Sequence, residues 1–197
     1  MEKQVIISIS REYGSGGHYI ARRLAERFGL PLYDHTMLDR MVEERGIDVS
    51  HLKKYETGMR MPFWHKVPHA TASSPEETVA AMQFDFLYDR AAAGESFVVV
   101  GRCSESVLRE FPGLITIFVS GDREAKIKRV MTERSFSRAE AEAAMLRHDQ
   151  SRKAYHNYYS GMKWGDSRNY ELCVNSSKLG INKIIDMLEI YIKERMK

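Results

Sequence analysis

Cysteine is scarce in this 197-residue chain: only Cys103 and Cys173 occur, far apart and in no metal-ligand spacing. That excludes a disulfide framework and a zinc module, and two buried, reduced thiols are expected. No run of about 18 apolar residues occurs, so no membrane-crossing helix is expected. Met1-Glu2-Lys3-Gln4 leads straight into a strand-like segment, without an apolar leader or a small-residue cleavage site. A cytoplasmic protein is the expectation. An excess of one charge is missing too: 30 Lys+Arg against 27 Asp+Glu leaves +3. Dedicated nucleic-acid binders carry a strong basic excess, so neither nucleic acid nor membrane is expected as a partner, although a local basic pocket stays open. What remains is an ordinary globular composition, 43% hydrophobic and 29% charged, without internal repeats. The length suits a single domain over 1–197 with a core large enough to need no staples.

Val5-Ile6-Ile7-Ser8-Ile9 is a short, β-branched apolar run of the kind found in buried strands. A glycine cluster follows, and then Ile20, Leu24 and Phe28 recur at helical spacing up to Gly29, a helix stop. Further strands are expected at 30–33, 97–100, 114–119 and 170–174. Ser74-Pro75-Glu76-Glu77 and Ser137-Arg138-Ala139-Glu140 read as capping boxes. The second box opens a helix to about Tyr155. A last helix should bury Ile181, Ile184, Ile185, Leu188 and Ile192. Short apolar strands alternating with helices predict an α/β fold with a parallel sheet covered on both faces. The stretch from about Gly46 to Ser73 lacks periodicity and is long for a loop. Its His65 and His69 have the spacing of helical metal ligands, but Pro68 between them breaks the helix such a pair requires.

The segment Ser10-Arg11-Glu12-Tyr13-Gly14-Ser15-Gly16-Gly17-His18-Tyr19 joins the first strand to its helix. Amides at glycine positions can point at a phosphate, and a helix N-terminus adds a favourable dipole. Aligned on the pattern G-x-x-x-x-G-K-[ST], Arg11 stands at the first glycine, Gly17 at the lysine and His18 at the Ser/Thr. The phosphate-contacting lysine and the magnesium-contacting hydroxyl are both missing. Arg11 could supply the lost charge and Ser15 a hydroxyl. A tight strand-to-helix turn without a ligand is the plain alternative.

This arrangement resembles the cytidylate kinase-like family of P-loop proteins, in which S-R-E-Y-G-S-G-G replaces the ordinary loop. Tyr33-Asp34, Gly101-Arg102, Asp149-x-x-Arg152 followed by Tyr158-Tyr159, and Trp164-Gly165-Asp166 extend the resemblance over nearly the whole chain. It implies a P-loop NTPase-type three-layer sandwich with a five-stranded parallel sheet in the order 2-3-1-4-5. An acceptor-binding insert would span about 36–95 and a lid about 130–152. The implied activity is transfer of the γ-phosphoryl group of ATP, with Mg2+, to a small acceptor, nominally cytidine monophosphate. Bacterial cytidylate kinases have an aspartate after the second strand and, six residues on, an arginine that grips the acceptor phosphate; Asp34 and Arg40 keep that spacing. Their Gly-Arg-Asp appears as Gly101-Arg102-Cys103, so the arginine is kept and the aspartate lost. Asp149 and Arg152 match a pair that contacts sugar and phosphate. Arg129 resembles the arginine that stacks on adenine, and Arg134 a lid arginine.

Phosphoryl transfer needs in-line positioning and positive charge more than covalent chemistry. Arginine suits it through a planar fork that stays charged. Arg11, Arg40, Arg102, Arg134, Arg147 and Arg152 could therefore converge at the carboxyl ends of the strands, where open parallel sheets bind ligands. Asp34 could cap the next helix, orient the acceptor, or hold magnesium through water, and Glu12 could also lie near a metal. Two readings from other classes stay open: a nucleotide-binding module without turnover, and a kinase of a non-nucleotide metabolite. The sequence leaves monomer and homodimer both open.

Overall fold

The computed structural model describes residues 3–44 and 75–197. The irregular stretch 46–73, with its histidines, and the Ser74 cap lie outside the described residues, as does the side chain of Arg40.

Five strands form one parallel sheet: β1 (Ile6–Arg11), β2 (Leu32–Tyr33), β3 (Phe97–Val100), β4 (Leu114–Ser120) and β5 (Leu172–Asn175). Their spatial order is β2-β3-β1-β4-β5, as expected. β1 is central, its Ile6–Ile9 register lying against Phe97–Val100 on one side and Leu114–Ile117 on the other. Parallel strands need long crossovers, and helices supply them. These are α1 (Gly17–Phe28), α2 (His35–Glu44), α3 (Pro75–Ala92), α4 (Ser104–Val107), α5 (Arg123–Arg134), α6 (Arg138–Ser160), α7 (Ser176–Leu179) and α8 (Ile181–Met196).

Side chains alternate across a strand, so β1 feeds two cores. Ile7 and Ile9, with Val98, Val100, Ile115, Ile117 and Val119, pack against Ile20 and Leu24 of α1 and Ile184, Ile185, Leu188 and Ile192 of α8. Ile6, Phe97 and Val99 pack against Leu38 of α2, Phe86 and Leu87 of α3, and Leu108. A third, smaller core joins α5 to α6 through Ile127, Val130, Ala141 and Met145. Ile117 lies at the centre of the first core with no exposed surface. Ile117→Ala is expected to cost about 3 kcal/mol and lower the melting temperature by roughly 6–12 °C, read by a thermal melt.

The expected strands and the Ser137–Glu140 capping box are present. Two expectations need correction. Helix α6 runs beyond Tyr155 to Ser160, where Gly161 adopts the left-handed conformation that ends it. Cys173 is exposed rather than buried, because it faces outward from β5, the edge strand; Cys103 is buried.

Candidate active site

The polypeptide leaves β1 at Arg11 and enters α1 at Gly17 through a loop whose turns require glycine. Gly14 has φ 76° and Gly16 φ 80°. The loop is pinned from several sides. Ser15 Oγ donates to the Glu12 carbonyl at 2.8 Å, the Ser176 hydroxyl donates to the Ser15 carbonyl at 2.6 Å, and Arg129 donates to the Gly14 carbonyl. Asp149 of α6 accepts the Tyr13 amide at 2.7 Å. The amides of Gly14 and Gly16, by contrast, meet no acceptor among the described residues. With the N-terminus of α1 behind them, they have the chemistry of an anion cradle.

Arg11 occupies the volume that a side chain at position 17 would need. A Cβ placed on Gly17 would come within 2.5 Å of Arg11 Cβ and 2.9 Å of its Cγ. From there the guanidinium reaches the turn after β3, with Nη1 2.6 Å from where a Cβ on Gly101 would sit. The two departures from the ordinary loop, arginine at the first glycine and glycine at the lysine, are thus one exchange. The cation has moved from the start of the helix to the end of the strand.

Around Arg11 stand Arg102, Arg152, Asp34 and Asp149, all close enough for their charges to act on it. Although part of its surface reaches solvent, Arg11 is densely enclosed by protein, and its Nε is buried without a partner among the described residues. Burial first, then repulsion by Arg152 and Arg102, pull its pKa down to about 9 against the attraction of the two aspartates. The guanidinium still holds its proton at neutral pH by roughly a hundred to one. Among the described residues neither aspartate pairs directly with it, so its charge is only partly compensated.

Arg102 and Arg152 are positioned by their neighbours. Gly101, Arg102 and Cys103 are three successive left-handed residues, with φ 74°, 59° and 53°. That conformation is unfavourable for a residue with a Cβ, and such outliers cluster at functional sites. It carries the Arg102 guanidinium over the Tyr155 ring at 5.2 Å. Below the turn, the buried pair His156–Glu105 (2.5 Å) continues to Ser10 and Ser160, tying β1, α4 and α6 together. Cys103 packs its thiol toward the His156 carbonyl, and burial pushes its pKa up, so it presents no charge to the cleft. Arg152 donates to the Arg11 carbonyl at 3.2 Å and lies over the Tyr13 ring. His148 stacks on Tyr13 at 4.3 Å and 10°. One face of α6 therefore grips the loop through residues 148, 149 and 152. Burial raises the Asp149 pKa against the opposing pull of the Tyr13 amide and Arg152.

His18 Nε2 and Asp34 Oδ2 are 2.9 Å apart, and Asp34 Oδ1 accepts the Met37 amide at 3.0 Å. Burial is the largest influence on Asp34 and pushes its pKa up, but the bonds from His18, Met37 and Thr36 together hold it below the usual carboxylate range. Glu12 Oε2 accepts from Lys126 at 2.8 Å and from the Gly121 amide at 3.1 Å. Among the described residues no three His, Cys, Asp or Glu side chains form a metal-binding group. With His18 at the hydroxyl position and both Asp34 oxygens engaged, these residues do not fit a magnesium ion bound directly by the protein. The phosphates fit better: two open amides, a helix start and an unpartnered buried arginine nitrogen.

Of the arginines singled out from the sequence, the fold brings together Arg11, Arg102 and Arg152. Arg134, in the last turn of α5, and Arg147 are exposed and are not among the main influences on Arg11. Tyr19 is exposed, with Arg22 over its ring. Sequence reasoning missed Lys126, Glu105, His148 and His156. Lys126 lies in the charge-dense stretch 123–138, a pattern typical of a solvated helix face, and only its packing under the loop distinguishes it.

Sheet order, glycine loop and arginine cluster define a P-loop kinase type of fold. The cytidylate kinase-like family model matches residues 6–178, and the chain belongs to that family. An uncharacterized protein from Eubacterium ventriosum is 35% identical, with 96% of this chain and 99% of that chain covered and a TM-score of 0.78. A shikimate kinase from Bacteroides thetaiotaomicron (14% identity, 96% and 98% covered, TM-score 0.56) shares the fold. So does a sugar kinase from Janibacter sp. HTCC2649 (15% identity, 96% and 95% covered, TM-score 0.58). No curated protein matches the chain.

Proposed function

We propose that the protein is an ATP-dependent phosphotransferase moving the γ-phosphoryl group to a small acceptor. The observation that carries this reading is Arg11: a buried, under-compensated cation at the end of β1, beside two open loop amides. The loop amides and the start of α1 would hold the donor phosphates. Arg11 would stand where the ordinary loop lysine projects, and Arg102 and Arg152 would neutralise charge on the group in transit. Arg129, bonded to the loop, would serve the nucleotide side, and Arg134 would belong to a closing lid. Magnesium entering with the nucleotide would be carried by phosphate and water rather than by these side chains.

Cytidine monophosphate is the acceptor the family name suggests, with Asp34, Arg40, Arg102, Asp149 and Arg152 as the contacting residues. A panel of nucleoside monophosphates and small hydroxylated metabolites, read by ATP consumption beside calorimetric ATP binding, tests the reading. Turnover on one acceptor class is expected. Binding without turnover on any acceptor would instead indicate a regulatory nucleotide-binding module.

A further inference from the structure

We propose that His18 and Asp34 form a proton-accepting dyad, and that the acceptor is therefore an alcohol rather than a phosphate. The inference rests on the phosphotransferase reading and specifies its substrate class.

The dyad has a defined polarity. A carboxylate only accepts hydrogen bonds, so at 2.9 Å from Asp34 Oδ2 the His18 Nε2 carries the hydrogen. Asp34 is fixed from its other side by the Met37 amide and is held ionised by its bonds. In the neutral imidazole His18 Nδ1 is then the lone-pair nitrogen, and it has no partner among the described residues. The arrangement is the one by which an aspartate sets the tautomer of a histidine base. His18 lies in the first turn of α1, directly after the glycine turns of the loop. Its side chain keeps 54% of its surface open, against 25% for Asp34.

The placement is also that of a reacting group. β3 lies between β1 and β2, so a bond from the loop after β1 to the residue after β2 crosses the carboxyl end of β3, where Arg102 begins. The Asp34 charge is felt by Arg11, which places the dyad in the same cleft.

A phosphate acceptor needs no base, because its oxygen is already anionic at neutral pH; it needs cations. An alcohol must lose its proton as the new bond forms. The balanced step is transfer of the hydroxyl proton to His18 Nδ1 and attack of the alcohol oxygen on the γ-phosphorus. The bond from that phosphorus to the β–γ bridging oxygen then breaks, and the electron pair leaves with ADP.

The test compares the full-length wild type with His18→Gln and His18→Ala on two panels: sugars, polyols and hydroxy acids, and nucleoside monophosphates. The expected result is turnover on a hydroxylated acceptor, a kcat lowered by about 10²- to 10⁴-fold in both variants with the KM for ATP within twofold, and partial rescue of His18→Ala by free imidazole. A structural role for His18 would not respond to imidazole. Turnover confined to nucleoside monophosphates, or a kcat indifferent to His18, overturns the dyad and leaves the phosphotransferase standing. ATP binding without turnover on either panel overturns both.

Discussion

Arg11→Gly is expected to abolish phosphoryl transfer, with kcat falling by at least about 10³, and adding Gly17→Lys in the same chain is expected to restore part of it. A loss of that size corresponds to roughly 4 kcal/mol of transition-state stabilisation, within the range of a cation that acts on the moving phosphoryl group. The rescue follows from volume. Arg11 now fills the space that a side chain at position 17 would take, and truncating it opens that space. Gly17 is not among the glycines with positive φ, so a lysine there meets no backbone penalty. The single variant Gly17→Lys, with Arg11 in place, is expected to clash and to be inactive. Stability separates this role from a merely structural one. The Arg11 pKa is depressed in the folded protein, to about 9 from 12.5, so its charged form opposes folding. That penalty is fully present below pH 9 and fades as the pH rises toward the unfolded value. Arg11→Gly should therefore melt no lower than wild type at pH 7, yet lose the rise in melting temperature expected on adding ATP. A thermal melt with and without ATP reads both. A variant that melts much lower, or that keeps the nucleotide-induced rise, overturns the assignment.

The second large effect is at Arg102. Arg102→Gly is expected to reduce transfer by at least about 10³ while changing stability by no more than about 1 kcal/mol. The residue has φ 59° between two other left-handed residues, a conformation that glycine adopts without strain. Relief of that strain offsets the lost contact with the Tyr155 ring and the added freedom of the unfolded chain. An arginine serving the fold would be missed in a denaturant melt, whereas one held in strain for a ligand is missed only in the assay. Unchanged turnover with loss of stability would reverse the conclusion.

The hydrophobic pattern carried the sheet and its helices because burial enforces period. Val98 and Val99 face opposite cores, as alternation in a strand buried on both sides requires. The loop string was legible for a similar reason: only glycine tolerates the turns at 14 and 16 without strain. Arginine identity was legible but arginine placement was not. Arg134 and Arg152 look alike in sequence, yet Arg134 ends α5 in solvent while Arg152 lies one turn after Asp149 on the face of α6 that meets the loop. The same holds for Lys126, whose part-buried pairing with Glu12 joins residues 114 apart. Cys173 went the other way, since edge position depends on strand order rather than on local composition.

What the sequence determined by itself is what depends on period and on backbone permission: the strands, the main helices, the Ser137 cap and the glycine turns of the loop. The tertiary structure decided which charges meet. Electrostatic energy depends on distance and burial, and a chain reveals neither until strands distant in sequence lie side by side. The Arg11–Arg102–Arg152 cluster, the exchange of Arg11 for a side chain at 17, and the His18–Asp34 bond all arise at the junction of β1, β2, β3 and α6. No stretch of the sequence contains that junction.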